Sequence, residues 1–238
     1  MRTLLIALTA VWTALAAGGS FAADVLRESR PATGFSRIQI DGRAEITLRQ
    51  GTTEGITLEA TAQGLKQIRT EVRGRTLRIG LVDQSHWWQW IIGGAPTRTP
   101  RIMIDLIQLE RIGASGTVSI VADSLKANDL RLDFAGAAKV RISDLQANRL
   151  RLDGAGAVKA EIAGKVTEQD VDLSGAGSYQ AADLVSDTIS LQVSGAGKAI
   201  VNAKTLLKAD ISGAGLVEYV GNPRVEREIT GIGKIRRR

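Results

Sequence analysis

The stretch Leu130-Arg131-Leu132-Asp133-Phe134-Ala135-Gly136 is followed twenty residues later by Leu150-Arg151-Leu152-Asp153-Gly154-Ala155-Gly156. The series continues as Ser174-Gly175-Ala176-Gly177, Ser194-Gly195-Ala196-Gly197 and Ser212-Gly213-Ala214-Gly215. Weaker copies flank it at Gly113-Ala114-Ser115-Gly116 and Thr230-Gly231-Ile232-Gly233. Counted by the last glycine, the marks fall at 116, 136, 156, 177, 197, 215 and 233, in steps of 20, 20, 21, 20, 18 and 18. Self-similarity at a fixed short period is the signature of a repeat architecture, in which each unit buries its apolar side only against its neighbours.

Around each mark the apolar residues alternate. Leu130 and Leu132 precede one turn and Val140 and Ile142 follow it; Leu150 and Leu152, then Val158 and Ile162, do the same one unit on. Period two means strand with one face buried. At roughly 3.3 Å per residue, a unit of this length with two or three turns completes one circuit of a narrow coil. The expected fold class is therefore all-β, a parallel β-helix-like solenoid with rungs of about 20 residues. Counting by the last glycine predicts one inward stack through Leu132, Leu152, Leu173, Val193, Ile211 and Ile229, and another through Val118, Ala138, Val158, Tyr179, Ala199 and Val217. Gly136, Gly156, Gly177, Gly197 and Gly215 are read as the turn-forming residues, because a tight corner needs positive φ or close backbone approach. Asp133, Asp153, Ser174, Ser194, Ser212 and Thr230 supply short oxygen side chains that can bond turn N–H groups.

The amino-terminal half is strand-like but irregular. Arg37 to Ile40 and Ala44 to Leu48 alternate around Asp41-Gly42; Gly55 to Ala60 and Thr76 to Ile79 follow turns; Leu65 to Val72 reads equally as a short helix or a strand. Residues 83–100 break the pattern with Trp87, Trp88 and Trp90, two glycines and two prolines, and read as an inserted loop. Met1-Arg2, the apolar run from Leu4 and the small-x-small pattern Ser20-Phe21-Ala22 read as a signal peptide over residues 1–22. The apolar run is shorter than the roughly 20 residues a membrane-spanning helix needs, so no transmembrane segment is expected in the mature chain.

Composition narrows the function classes. There is no cysteine, which removes disulfides, thiolate metal sites, cysteine nucleophiles and a lipid-bearing cysteine. The net charge of +6 is spread along the chain except in the basic tail 234–238, so no nucleic-acid partner is expected. His86 is the only histidine, which rules out a multi-histidine metal site. The Gly-Ala-Gly runs lack the third glycine of a dinucleotide loop and the Lys-Ser/Thr ending of a phosphate loop, and no cofactor is expected. Two features could carry function. Trp87, Trp88 and Trp90 form a candidate binding loop, for a glycan or protein of the cell envelope, or else a plug over the core. Asp133 and Asp153, on adjacent rungs roughly 4.8 Å apart, could hold a cation or divide acid and base roles, or merely cap turns. A second outward column is predicted through Arg131, Arg151, Asp172, Gln192, Asp210 and Glu228.

The Ser-Gly-Ala-Gly series, preceded by Gly34-Phe35-Ser36-Arg37-Ile38-Gln39-Ile40-Asp41-Gly42 and Ile46-Thr47-Leu48-Arg49-Gln50-Gly51, resembles the head GIN domain family of adhesin-type domains. The likeness covers most of residues 35–233. It implies a right-handed β-helix-like fold in an exported protein of the periplasm or cell surface, and carries no catalytic or ligand residues. With five residues after Gly233, no autotransporter pore is expected. The resulting expectation is a non-enzymatic envelope protein presenting a rigid surface for binding or adhesion. The alternative is a polysaccharide-active β-helix enzyme using the stacked carboxylates.

Overall fold

The computed structural model describes residues 25–81 and 99–238. The proposed signal peptide, His86 and the three loop tryptophans lie outside the described residues. In chain order the elements are β1 (Val25–Arg30), β2 (Arg37–Gln50), β3 (Gly55–Thr61), α1 (Ala62–Gln67), β4 (Ile68–Arg73), β5 (Thr76–Leu81), β6 (Arg101–Leu106), β7 (Arg111–Gly213), β8 (Leu216–Val220), β9 (Arg224–Gly231) and β10 (Lys234–Arg237). The fold is all-β, in an open sheet that does not close into a barrel.

One end is built from antiparallel pairs, β1 with β3, β3 with β6 and β4 with β5. The segment that the sequence left open between helix and strand uses both. Thr61 caps α1 by accepting a hydrogen bond from the Gly64 N–H at 3.1 Å, Leu65 is buried, and the chain turns extended again at Ile68. Gly74, at φ 58°, closes the β4–β5 hairpin.

Beyond this end all pairing is parallel. β2 lies on the start of β7 from Arg37↔Arg111 to Leu48↔Ala122, while β8 and β9 lie on its last part and β10 lies on β8. β7 itself contains 103 residues. Straight, it would reach roughly 340 Å at 3.3 Å per residue, so it must fold back on itself. A column of glycines fixes where. Gly42, Gly116, Gly136, Gly156, Gly175, Gly195, Gly213 and Gly231 all have φ between 108° and 125°. A Cβ on any from Gly116 onward would lie within 2.7 Å of the carbonyl oxygen of the glycine one pass earlier. Neither the dihedral nor the approach admits a side chain. From Gly116 the chain thus lies against itself in steps of 20, 20, 19, 20, 18 and 18 residues.

This register corrects the alignment drawn from the repeated tetrapeptides. After Gly156 the corner belongs to Gly175, Gly195 and Gly213, and Gly177, Gly197 and Gly215 do not have positive φ. The expected inward stack divides accordingly. Leu132 and Leu152 continue through Val171, Leu191 and Ala209; Phe134 and Gly154 continue through Leu173, Val193 and Ile211. Val118, Ala138 and Val158 are continued by Gly177, Gly197 and Gly215, whereas Tyr179, Ala199 and Val217 follow Ile120, Val140 and Ala160.

The glycines outside the corner column have a packing reason. The residues two before and two after each corner face one another across it, and they trade volume: Phe134 with Ala138, Gly154 with Val158, Leu173 with Gly177, Val193 with Gly197 and Ile211 with Gly215. A Cβ on Gly154 would meet Val158 Cγ2 at 3.1 Å and Leu173 Cδ2 at 3.2 Å; on Gly177 it would meet Leu173 at 3.2 Å, and on Gly215 Ile211 Cγ2 at 2.7 Å. A core packed to crystal-like density has room for one large residue at each such pair. The core is one apolar cluster from Ala32 to Val217, with Val225 and Ile235 partly buried against its end; Ile229, expected in the inward stack, is exposed. The core holds a single buried polar chain among the described residues, in which Tyr179 Oη donates to Gln169 Oε1 at 2.6 Å and Gln169 Nε2 donates to Ser186 Oγ.

Candidate functional site

Outward positions next to the corner line up across passes because the corners do. Three residues before each corner stand Gln39, Gly113, Asp133, Asp153, Asp172 and Gln192; one residue before stand Asp41, Ser115, Ala135, Ala155, Ser174 and Ser194. Between the first of these columns as a wall and the second as a floor runs a groove of about 450 Å³. Its floor carries nothing larger than a hydroxyl from Ser115 to Ser194, which is why it is concave. At its lower end Gln39 folds over Gly113, where a Cβ would collide with the Gln39 amide oxygen.

The wall is laced by ion pairs that alternate along the stack. Arg111 reaches Asp133 at 2.6 Å; Arg131 holds Asp133 at 2.7 Å and Asp153 at 2.9 Å; Arg151 holds Asp153 at 3.1 Å and approaches Asp170 at 3.7 Å. Burial pushes the Asp133 carboxyl up, but the hydrogen bonds from Arg131 and Arg111 outweigh it and hold the group below the usual range. Asp172 goes the other way: burial raises it first, and the charges of Asp153 and Asp170 raise it further against the pull of Arg151. Among the described residues Asp172 is in no ion pair.

These contacts change the reading of both carboxylates. Asp133 and Asp153 do stand on neighbouring passes, but each accepts from arginine side chains instead of capping its turn. Arg111 and Arg131 hold Asp133 ionised. The predicted outward column through Arg131, Arg151 and Asp172 also shifts by two residues: Asp170 continues the arginines, and Asp172 continues Asp133 and Asp153. Among the described residues no group of three or more His, Cys, Asp or Glu could hold a metal ion, and no helix is long and apolar enough to cross a membrane. Trp87, Trp88 and Trp90 are outside the described residues, so the candidate binding loop has no geometry to set beside the groove. Sequence reasoning picked out Asp133 and Asp153 but missed the groove, with Gln39, Asp172 and Gln192 on its wall. The signal was present in the spacing of Asp133, Asp153 and Asp172, read as one series.

Comparison with known proteins places this geometry. The family model described as "Putative auto-transporter adhesin, head GIN domain" matches residues 34–223. No curated protein matches the chain. Among solved structures, a Bacteroides fragilis protein described as a putative adhesin is similar with a TM-score of 0.82 at 18% identity, covering 90% of this chain and 97% of its own. A Parabacteroides distasonis protein described as a putative lipid binding protein gives 0.71 at 18% identity, covering 91% and 98%. A Parabacteroides merdae protein described as a putative adhesin gives 0.63 at 17% identity, covering 91% and 97%. At these identities the likeness speaks for the fold. Neither the family nor these neighbours are described as enzymes.

Proposed function

The chain belongs to the head GIN domain family, and on that footing we propose that it is an exported, non-enzymatic protein of the cell envelope, periplasmic or at the surface, that presents a rigid face for binding or adhesion. Its working part is one right-handed parallel β-solenoid over residues 35–233, entered after a cleaved leader at 1–22, interrupted by the segment 83–100 and followed by the basic tail 234–238. The observation that carries this reading is the column of glycines from Gly42 to Gly231, each in backbone contact with the one before. A chain stacked on itself in this way cannot flex side to side without breaking several rows of parallel hydrogen bonds, so its outward columns keep fixed spacings. Fixed spacing favours recognition, because little conformational freedom is lost on binding. Trp87, Trp88 and Trp90 remain a proposed contact region.

The test combines cell fractionation with capture from envelope extract by the purified mature protein. Recovery of the chain outside the cytoplasm with residues 1–22 removed, and capture of a defined envelope component, is the expected result. Retention of the leader in a cytoplasmic protein would remove the proposal. So would release of reducing sugar from any polymer by the pure protein.

A further inference from the structure

We propose that the groove along the Asp133–Asp153–Asp172 wall binds one linear, uncharged polysaccharide chain laid parallel to the stack, about one sugar to each pass. The inference rests on the binding role above and names its ligand class.

Length and pitch come first. The wall runs over six passes from Gln39 to Gln192. With strands about 4.8 Å apart the groove is roughly 24 Å long and offers a polar side chain at nearly every step. An extended peptide presents its side chains on one face about every 6.6 Å and falls out of step with such a wall. An extended hexopyranose chain advances per sugar by a length much closer to one strand spacing than the peptide's step, and drifts out of step far more slowly. The volume of about 450 Å³ lies within the range of small-ligand sites, and the groove is open along its length, as a polymer requires.

Chemistry selects among polymers. The wall is rich in acceptors: each carboxylate has about four lone-pair positions, and the arginines on Asp133 and Asp153 leave some of them free. Asp172 has no cation partner among the described residues, and Gln192 can both donate and accept. Sugar hydroxyls donate and accept in turn, which is what such a wall rewards. An anionic polymer would meet Asp170 and Asp172 at one end, whereas the lower wall is already neutralised by Arg111, Arg131 and Arg151, so a polycation gains little there. The exposed floor residues Ala135 and Ala155 let the flat C–H face of a sugar lie close to the sheet.

The experiment is calorimetric titration of the full protein with cello-, manno- and malto-oligosaccharides of two and six units, beside an oligogalacturonate hexamer as the charged control. One neutral series should bind, with its hexamer at least ten-fold tighter than its dimer. Ala155→Arg, an exposed floor change that leaves the core untouched, should abolish binding while keeping the wild-type melting midpoint; Asp172→Ala should weaken it several-fold. Binding of none of the neutral series, equal affinity for dimer and hexamer, tighter binding of the charged hexamer, or full affinity in a folded Ala155→Arg protein would each overturn the proposal. If Ala155→Arg still captures the envelope component seen with the wild type, the groove is wrong and the binding role stands. If the Trp87/Trp88/Trp90 triple alanine variant alone loses sugar binding, the site lies on that segment and the groove is likewise wrong.

Discussion

Gly154-Ala155-Gly156 and Gly175-Ala176-Gly177 are the same three residues with opposite duties. In the first the corner is the second glycine and the first one makes room for Val158; in the second the corner comes first and Gly177 makes room for Leu173. A corner glycine answers to the backbone of the pass below it, and a filler glycine to one neighbouring side chain. Identity of sequence therefore does not mean equivalence in space.

Alanine at each of the four positions separates the two duties. Gly156→Ala and Gly175→Ala force a Cβ against the carbonyl of the preceding pass at positive φ, and each should cost about 3 kcal/mol or more. Gly154→Ala and Gly177→Ala meet only side chains at 3.1–3.4 Å and should cost about 1 kcal/mol. Thermal midpoints read the difference, at roughly 2–4 °C per kcal/mol for a chain of this size. Equal losses at Gly175 and Gly177 would break the register.

A swap tests the volume trade itself. Gly154→Leu alone overpacks the fourth pass and should destabilise by about 1–3 kcal/mol. Adding Val158→Gly turns that pass into a copy of the Leu173/Gly177 arrangement, and the double variant should recover most of the loss. A coupling below about 0.5 kcal/mol in the double-mutant cycle would mean that the two positions do not share a space.

How far the sequence could be read follows from the same contrast. Alternation is a local demand of a half-buried strand, so the strand character of Leu130 to Ile142 and of Arg37 to Leu48 is written in the residues themselves. The need for glycine at a corner is equally local. Register is not, because it depends on which glycine touches which, and a string match cannot separate a corner from a filler. The series Asp133, Asp153, Asp172 keeps the alternation in phase and yields the observed 20- and 19-residue steps, whereas the tetrapeptides pull it two residues out. The tetrapeptide register hides the groove for that reason: its wall is that very series, and the tetrapeptides set Asp172 beside Arg131 and Arg151. Leu65 to Val72 stayed ambiguous because it is half helix and half strand, and a six-residue helix leaves almost no periodicity to detect.

Smaller effects belong to the wall. Arg131 bridges Asp133 and Asp153 from a half-exposed position, and Arg131→Ala should cost under about 1 kcal/mol, less still in high salt. A loss as large as that at Gly156 would make the ladder and not the corners the chief support of this face. Asp172→Asn should have the least effect and the opposite sign. The folded state raises the Asp172 pKa, so folding is favoured by its protonated form below the unfolded value, and that advantage fades as pH rises through the folded one. The asparagine variant should therefore melt slightly above wild type at pH 7, and the two should converge below pH ~3.5. A lower midpoint at pH 7 would mean that the charge has a partner.

Most passes meet a neighbour 18–20 residues away, but β2 meets β7 at a separation of 74, from Arg37 to Arg111. Closing the longer loop costs about 1.2 kcal/mol more in chain entropy by the logarithmic rule. Assembly should thus begin within β7 and spread pass by pass, with β2 and the antiparallel end joining afterwards. The order should be visible in native-state hydrogen exchange, where amides of Arg37–Leu48 exchange before those around Val140 and Ala160. The stretch between β2 and β7 would then act as a kinetic divide, leaving a protein whose repeated part can be complete while its beginning is still being added.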